Sequence, residues 1–421
     1  MTLLAAHLND AGLLVTDGKR ILCREPGYAL LEDDGLVTGR QAWASASLEP
    51  RRIQNGYWAH LSTEPLRDRR FQHLSAADIV SQQLETLWKR VAKPGDKLAL
   101  AVPAYMTSDS LGLLLGIAMD LEIPVVGMVD AAVAATRRAY ANAVPVHVDL
   151  SLHSGMLTRL SQEGQAQLER AVLIDEAGML DLYGIWLRII AETFVQQSRF
   201  DPLHTAETEQ ALQDSMLDWL AVAATRDTVP LQVEYRGITH QAEIESLELV
   251  SAAAPVYQAI VSNLRALYRA GETPALQLSD RAARMPGLAA TLKARAGGEV
   301  FVLEPGATAR GLAHRCPEHR PGGAIALVRH LPWDQARVSV ELAGEQTGAQ
   351  PTHVLHDDTA TPVGGATLVL GSHPADGERW LDLGQEIPGI SRRHCEIASE
   401  NGQCVLIDRS RYGTFLNLSL I

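Results

Sequence analysis

The densest group of chemistry-bearing side chains is His314-Arg315-Cys316-Pro317-Glu318-His319, where two imidazoles and a thiol fall close together. Imidazole nitrogen and thiolate sulfur are the donors that hold zinc, but a closed site needs about four of them. No further donor stands at a partner spacing and arginines flank the group, so an exposed polar loop is expected there and no metal. The cysteines, Cys23, Cys316, Cys395 and Cys404, are scattered with no CxxC pair and read as reduced thiols, not as a disulfide framework. A second pattern is more ordered. Ser391-Arg392-Arg393-His394 is followed by the block Asp408-Arg409-Ser410-Arg411-Tyr412-Gly413-Thr414-Phe415-Leu416-Asn417.

The elements that must position these groups follow from length and patterning. A chain of 421 residues with 46% apolar and 21% charged content has enough material for two or three full cores. Its 37 Lys and Arg against 50 Asp and Glu give a net charge of −13, which leaves no broad cationic surface for a nucleic-acid backbone or an anionic membrane. The longest apolar run, 111–119, is bounded by Asp109 and Asp120 and is too short to span a bilayer. The first fifteen residues lack a basic start and carry Asp10, so a secretory signal is not expected and a cytoplasmic location is.

Residues 3–7 and 12–16 have the pattern of short strands around the turn Asn9-Asp10-Ala11-Gly12. Ser75 with Asp78 makes a capping-box start for a helix whose Ile79, Val80, Leu84, Leu87, Trp88 and Val91 recur at helical spacing. A strand at 98–102, a helix capped by Ser108 or Ser110 and running to Met119, and a strand at 123–129 complete a β-α-β-α rhythm. The alternation resumes with a strand at 144–150, mostly helix from 180 to 222, and a helix from Pro255 to Arg269 that ends at Gly271. A strand at 276–279, a helix opened by Pro286, a strand at 300–303 and a helix through His314 close the second α/β half. Beyond residue 320 the helical pattern gives way to turn-rich sequence and short strands at 367–370, 395–398, 405–407 and 414–416.

Residues up to about 320 resemble the nucleotide-binding domain shared by the seventy-kilodalton heat-shock chaperones and actin. The carriers are Leu100-Ala101-Val102-Pro103-Ala104-Tyr105, Ile123-Pro124-Val125-Val126-Gly127-Met128-Val129-Asp130-Ala131-Ala132-Val133-Ala134-Ala135, Pro26-Gly27-Tyr28-Ala29-Leu30, Gly39-Arg40-Gln41-Ala42 and Gly306-Ala307-Thr308-Ala309-Arg310-Gly311-Leu312-Ala313. The resemblance implies two α/β lobes around an ATP cleft, with a nucleotide-cleft set of Asp10, Gly12, Asp130, Asp149, Ser154, Asp280 and Arg281. The cleft departs from the family at each ligand element. Leu13 and Leu14 replace threonines of the first phosphate turn. Ser151, Leu152 and His153 replace a run of glycines in the second. Asp280 and Arg281 replace the glycine pair of the adenosine turn, and Trp43 replaces a catalytic lysine. A degenerate cleft with no catalytic residue is therefore expected, with ATP and Mg²⁺ the only cofactor candidates, held by Asp10, Asp130 and Asp149 if at all. Otherwise these acids cap turns or helices.

From about residue 351 the chain resembles a forkhead-associated (FHA) domain, a β-sandwich that reads phosphothreonine from loops at one end. Leu370-Gly371 and the two blocks at 389–397 and 408–417 carry the likeness. It implies that Ser391 donates to phosphate and Arg392 supports it by charge, with Ser410, Arg411 and Tyr412 completing the peptide site. Gly371, His394, Gly413 and Asn417 would be structural. Ser372 stands where the family has an arginine, and Tyr412 where it has the asparagine that grips the peptide backbone. A local positive patch of Arg392, Arg393, Arg409 and Arg411 would offset the net negative charge. A complete module of this family continues for about two or three strands beyond the Asn417 position, so either the sequence is a shortened one, or 324–328 or 338–342, or a second copy through self-association, supply the remaining strands.

The expected architecture is an actin-like domain over 1–325, a linker or added strands over 326–350 and an FHA-like, incomplete sandwich over 351–421. The expected function is a non-catalytic adaptor or scaffold whose partner is a protein, including phosphothreonine-bearing ones, and neither nucleic acid nor membrane. Two alternatives are a chaperone-like ATPase regulated by phospho-dependent binding of its module, and a purely structural component of a multiprotein assembly.

Overall fold

The structure, a computed structural model, describes residues 2–33, 35–317, 324–334, 340–342, 353–356, 359–363, 366–373, 377–384, 390–400, 403–411, 414–416 and 419–420. The chain divides into compact units at residues 1–343 and 344–421. The first opens with strand Leu3–His7, almost wholly buried as a central strand of a mixed sheet covered on both faces. The chain then turns through Asn9 to Gly12, closed by the Gly12 N–H donating to the Asn9 carbonyl at 2.8 Å. Leu13–Thr16 and Ile21–Glu25 follow, each antiparallel to the strand before it. Lys97–Val102 lies parallel to Leu3–His7, and Val125–Asp130 lies parallel beside that.

The second sheet repeats the figure strand for strand. Val144–Leu150, Ser154–Ser161 and Gln165–Asp175 are antiparallel in succession, Pro274–Leu278 is parallel to Val144–Leu150, and Glu299–Leu303 is parallel to Pro274–Leu278. In both sheets the spatial order is third, second, first, fourth, fifth. The first unit is thus a mixed α/β body built from two α/β halves.

Helix Ala76–Val91 starts at Ser75 with both capping-box bonds, the Asp78 N–H to Ser75 Oγ and the Ser75 N–H to Asp78 Oδ2. The next helix, Ser108–Asp120, is capped one residue before Ser108, because the extended Thr107 presents Oγ1 to the Ser110 N–H at 3.2 Å. The helical stretch of the second half splits into Met179–Ser198 and Ala206–Ala223. Ala254–Arg265 stops short of Arg269, and Gly271, at φ 86°, lies in the turn beyond it.

An antiparallel hairpin, Thr228–Tyr235 with Ile238–Glu245, presses Val229, Leu231, Val233 and Ile244 into the same core as Trp186. Its turn puts Arg236 and Gly237 at positive φ, 51° and 76°, the arrangement that matches strand twist in a two-residue loop. Trp186 is fully buried, and its indole N–H donates to the Leu249 carbonyl at 2.9 Å. That bond removes the cost of burying a polar atom with a large apolar ring.

Several expectations change here. Leu327–Val328, His330–Pro332 and Val340–Leu342, expected as linker or as strands completing the C-terminal sandwich, pair with the sheets of the first unit instead. His314 and Arg315 do not lie in an exposed loop. They end the helix Ala307–Arg315, and Arg315 is buried, donating to the carbonyls of Thr136, Ala134 and Pro332. Glu318 and His319 lie outside the described residues, and among the described residues no group of metal-type ligands converges.

The second unit is strand-rich. Leu368–Gly371 is flanked by Arg379–Asp382 in parallel and Cys395–Glu400 antiparallel, with Gln403–Asp408 outside the latter. Val363, Leu368, Leu370, Leu381 and Cys395 form its small core. Among the described residues no helix is long and apolar enough to cross a membrane.

Candidate functional site

The repeated topology places equivalent strand ends opposite each other, and Asp10, Gly12, Asp149, Asp280 and Arg281 of the predicted cleft residues meet there. Asp10 is in the turn after Leu3–His7. Asp149 is near the end of Val144–Leu150, the equivalent strand of the second sheet. Arg281 sits on the short helix Asp280–Ala283 that follows Pro274–Leu278.

The Arg281 guanidinium fills the space between the halves. Nη1 donates to Asp149 Oδ1 at 3.2 Å and to the Leu150 carbonyl at 2.9 Å, while Nη2 donates to the Gly12 carbonyl across the seam at 3.3 Å. A Cβ at Gly12 would lie 3.3 Å from Arg281 Nη2, a tight contact that the guanidinium would have to yield to by a few tenths of an ångström. Asn9 reaches from the first half to Asp149 Oδ2 (2.9 Å) and the Leu150 carbonyl (3.0 Å), and the Leu152 N–H returns a bond to Asp10 Oδ1 at 2.8 Å. Asp280 pairs with Arg24 of the first half at 3.0 Å and with Arg284 at 3.2 Å.

Farther along the seam, Trp43 meets Tyr28 and Tyr183 edge-on at centroid distances of 4.9 and 6.2 Å, and the Ser47 N–H donates to Gln210 Oε1 at 2.8 Å. The cavity left beside His7, Gly12, Arg24 and Arg281 is about 20 Å³. That is room for about one water, while a wider hollow of about 380 Å³ lined by Asp280, Ala283, Arg284, Leu303 and Glu304 adjoins it.

Burial governs the charges. It pushes the Asp10 carboxyl up to about 6, against the opposing bond from the Leu152 N–H, and Asp10 Oδ2 has no hydrogen-bond partner among the described residues. Burial works against the Asp149 carboxylate as well, but Arg281, His7, His147 and the Ser279 hydroxyl outweigh it and hold that carboxyl below its usual range. His7 is lowered to about 4, again chiefly by burial. Asp130 is not at the seam contact. It caps the helix Ala131–Ala135, accepting from the Ala132 and Val133 N–H groups, and burial raises it to about 6. Ser154 closes a local turn with Ser151, Oγ to Oγ at 2.9 Å, Leu152 packs in the core, and His153 reaches the Asn55 carbonyl. Arg281, and not Ser151, Leu152 or His153, is therefore the residue whose side chain occupies the seam. Asn9, Arg24 and Gln210 escaped sequence reasoning. Asn9 had a signal in its place beside Asp10, whereas Arg24 and Gln210 had none.

In the second unit the loop 390–394 is fastened to the sheet by backbone bonds. The His394 N–H donates to the Leu370 carbonyl at 2.8 Å and the Ser372 N–H to the Ser391 carbonyl at 3.2 Å. Gly371 permits this approach, since a Cβ there would lie 2.1 Å from the Arg392 carbonyl oxygen. The Ser391 N–H donates to His394 Nδ1 at 3.2 Å, so the ring proton is on Nε2. Ser391 Oγ accepts the Arg411 N–H at 3.0 Å, which leaves its own proton to donate. Asp408 organises the neighbouring loop, accepting from the Thr414 hydroxyl (2.7 Å) and the Ser410 N–H (2.9 Å), and these bonds lower its carboxyl to about 2.

Arg392 is exposed, and among the described residues its side chain has no ion pair. The expected four-arginine patch is reduced, because Arg393 is held by Glu378 and Glu396, and Arg409 also pairs with Glu396. Tyr412, Gly413 and Asn417 lie outside the described residues. A hydroxyl donor and an exposed guanidinium side by side on a braced loop can make charge-assisted bonds to a phosphate dianion.

Residues 369–421 match the FHA domain family. An FHA domain implies phosphothreonine-dependent protein–protein interaction, and the loop carrying Ser391 and Arg392 lies within the match. Among curated proteins none matches the chain.

Proposed function

We propose that this protein is a non-catalytic adaptor in which an actin-like body without nucleotide turnover carries a phosphothreonine-reading module, acting on protein partners in the cytoplasm. Arg281 carries the reading for the body: a fixed guanidinium bonded to Asp149, Leu150 and Gly12 takes the space and the charge complement that a magnesium–phosphate group would need. The duplicated third-second-first-fourth-fifth sheet order, with acidic residues at the matching strand ends, supports descent from a two-lobed nucleotide-binding fold. For the module, Ser391 and Arg392 supply the phosphate contacts. The missing arginine at Ser372 removes one charge-assisted contact, worth on the order of 1.5–3 kcal/mol, so binding is weak.

Calorimetric titration of the full chain with Mg-ATP and, separately, with a phosphothreonine peptide library tests both parts. No heat with millimolar Mg-ATP is expected, together with weak library binding that is lost on dephosphorylation and in Arg392→Ala. Saturable Mg-ATP binding would overturn the reading of the body, and peptide binding indifferent to phosphate would overturn that of the module.

A further inference from the structure

The segment following the helix Ala307–Arg315 adds a strand to each sheet in immediate succession. Leu327 and Val328 pair in parallel with Met128 and Val129 at the edge of the first sheet. His330, Leu331 and Pro332 pair antiparallel with Gln167, Ala166 and Gln165 at the edge of the second. Arg329 alone separates the two pairings, and its carbonyl accepts the Leu168 N–H at 2.9 Å. A residue of extended chain spans at most about 3.6 Å. The two sheet edges therefore cannot move apart by more than a few ångströms without tearing out one of the added strands.

The segment is firmly seated. Leu331 is 1% exposed and packs in a cluster that joins Val129 and Ala131 of the first half to Leu160 and Ala166 of the second. The Pro332 carbonyl accepts from Arg315 at 3.1 Å. Asp334 Oδ2 accepts from Arg137 Nε at 2.7 Å and lies 3.3 Å from His314 Nδ1, and the Asp334 N–H donates to the Arg137 carbonyl. Arg137 is itself held by Glu304 at 2.7 Å.

We propose that residues 327–334 form a permanent staple that holds the two halves in one closed arrangement, the task a ligand bound between them would otherwise perform. The halves of this body do not open and close; the seam stays shut because a length-limited tether ties both sheet edges. The inference depends on the strand pairings alone and stands whether or not the module reads phosphate.

Lengthening the tether without touching its anchors tests this. In the full chain, Gly-Ser-Gly-Ser is inserted after Arg329, and amide hydrogen exchange is followed at Leu152 and Ser47, whose N–H groups bond across the seam to Asp10 and Gln210. Exchange at both is expected to rise about tenfold or more, while Lys97–Val102 and Val144–Leu150 stay within about twofold of the parent, as expected for a sub-global opening. Leu331→Ala, which keeps the tether short but loosens its seat, should give a smaller rise at the same amides and is read in the same way if the insertion fails to fold. Arg329→Gly should change nothing. Unchanged exchange at Leu152 and Ser47 would refute the staple. Equal loss of protection throughout both sheets would refute it as well, by making the segment an ordinary core strand.

Discussion

Replacing Arg281 by alanine removes the guanidinium paired with the buried Asp149 carboxylate, among the described residues the one arginine or lysine that reaches it, and leaves His7 at 3.8 Å. The Arg281 and Asp149 side chains are 11% and 3% exposed, so solvent gives little screening. Breaking a buried pair by deleting one partner costs about 3–5 kcal/mol, because the remaining charge stays desolvated. Asp149 keeps bonds from the Ser279 hydroxyl (2.5 Å), the Leu150 N–H (2.9 Å) and Asn9 Nδ2 (2.9 Å), which places the expected loss near the lower end, about 3 kcal/mol.

The sign of the pH dependence follows from Asp149. In the parent its folded carboxyl lies below the unfolded value, so the pairing contributes stability above about pH 4 that is lost as pH falls through the folded value. Without Arg281, burial dominates and the folded carboxyl rises, so the variant loses stability as pH rises. The deficit should be largest above about pH 6 and shrink towards pH 3. Urea denaturation of both proteins at a series of pH values, followed by tryptophan fluorescence with the fully buried Trp186 as one reporter, measures it. Arg281→Met, which keeps most of the packing, should lose nearly as much. A deficit under about 1 kcal/mol at neutral pH, or one that grows on acidification, would refute the assignment of Arg281 as the counter-charge holding the seam.

Other outcomes are expected. Asp10→Asn retains an oxygen for the Leu152 N–H but cannot ionise; since the parent carboxyl is raised to about 6, the parent loses stability between about pH 4 and 6, and the variant should gain roughly 1–3 kcal/mol on it above that range and nothing at pH 4, as measured by denaturant titration. Gly371→Ala drives a Cβ to 2.1 Å from the Arg392 carbonyl and should cost the second unit about 3 kcal/mol or more, seen as rapid proteolysis beyond residue 344 with the first unit intact. Ser391→Ala removes the acceptor of the Arg411 N–H and the phosphate-facing hydroxyl, and should weaken phosphopeptide binding about tenfold or more in a titration. Millimolar Mg-ATP should leave the melting temperature unmoved, because a ligand stabilises the folded state only as far as its concentration exceeds its dissociation constant.

Local chemistry was legible in the sequence wherever it acts over a few residues. The strands Leu3–His7 and Val144–Leu150 stand at their expected bounds, the turn at Asn9 to Gly12 closes as its residue types require, and Ser75 with Asp78 makes the predicted box. The hairpin at 228–245 went unread although Val229, Leu231 and Val233 alternate with exposed residues, because its turn is Arg236-Gly237, a weaker signal than Asn-Gly, and its second strand is mostly polar and exposed. The order of Ser391, Arg392 and His394 before Asp408 carried the module, because a braced loop is encoded largely by neighbours in the chain.

Tertiary structure alone decided which of Ser151, Leu152, His153 and Arg281 enters the seam. Arg281 and Gly12 are 269 positions apart, and no local pattern says that one side chain will cross to the other's carbonyl while Leu152 turns into the core. It also decided that Leu327–Val328 and His330–Pro332 belong to the first unit, since short apolar strands fit any open sheet edge and only the assembled sheets show which edges are free. Periodicity and turn chemistry act over a few residues and can be read along the chain, whereas a buried charge finds its partner, and an edge strand its sheet, only after distant segments have been packed together.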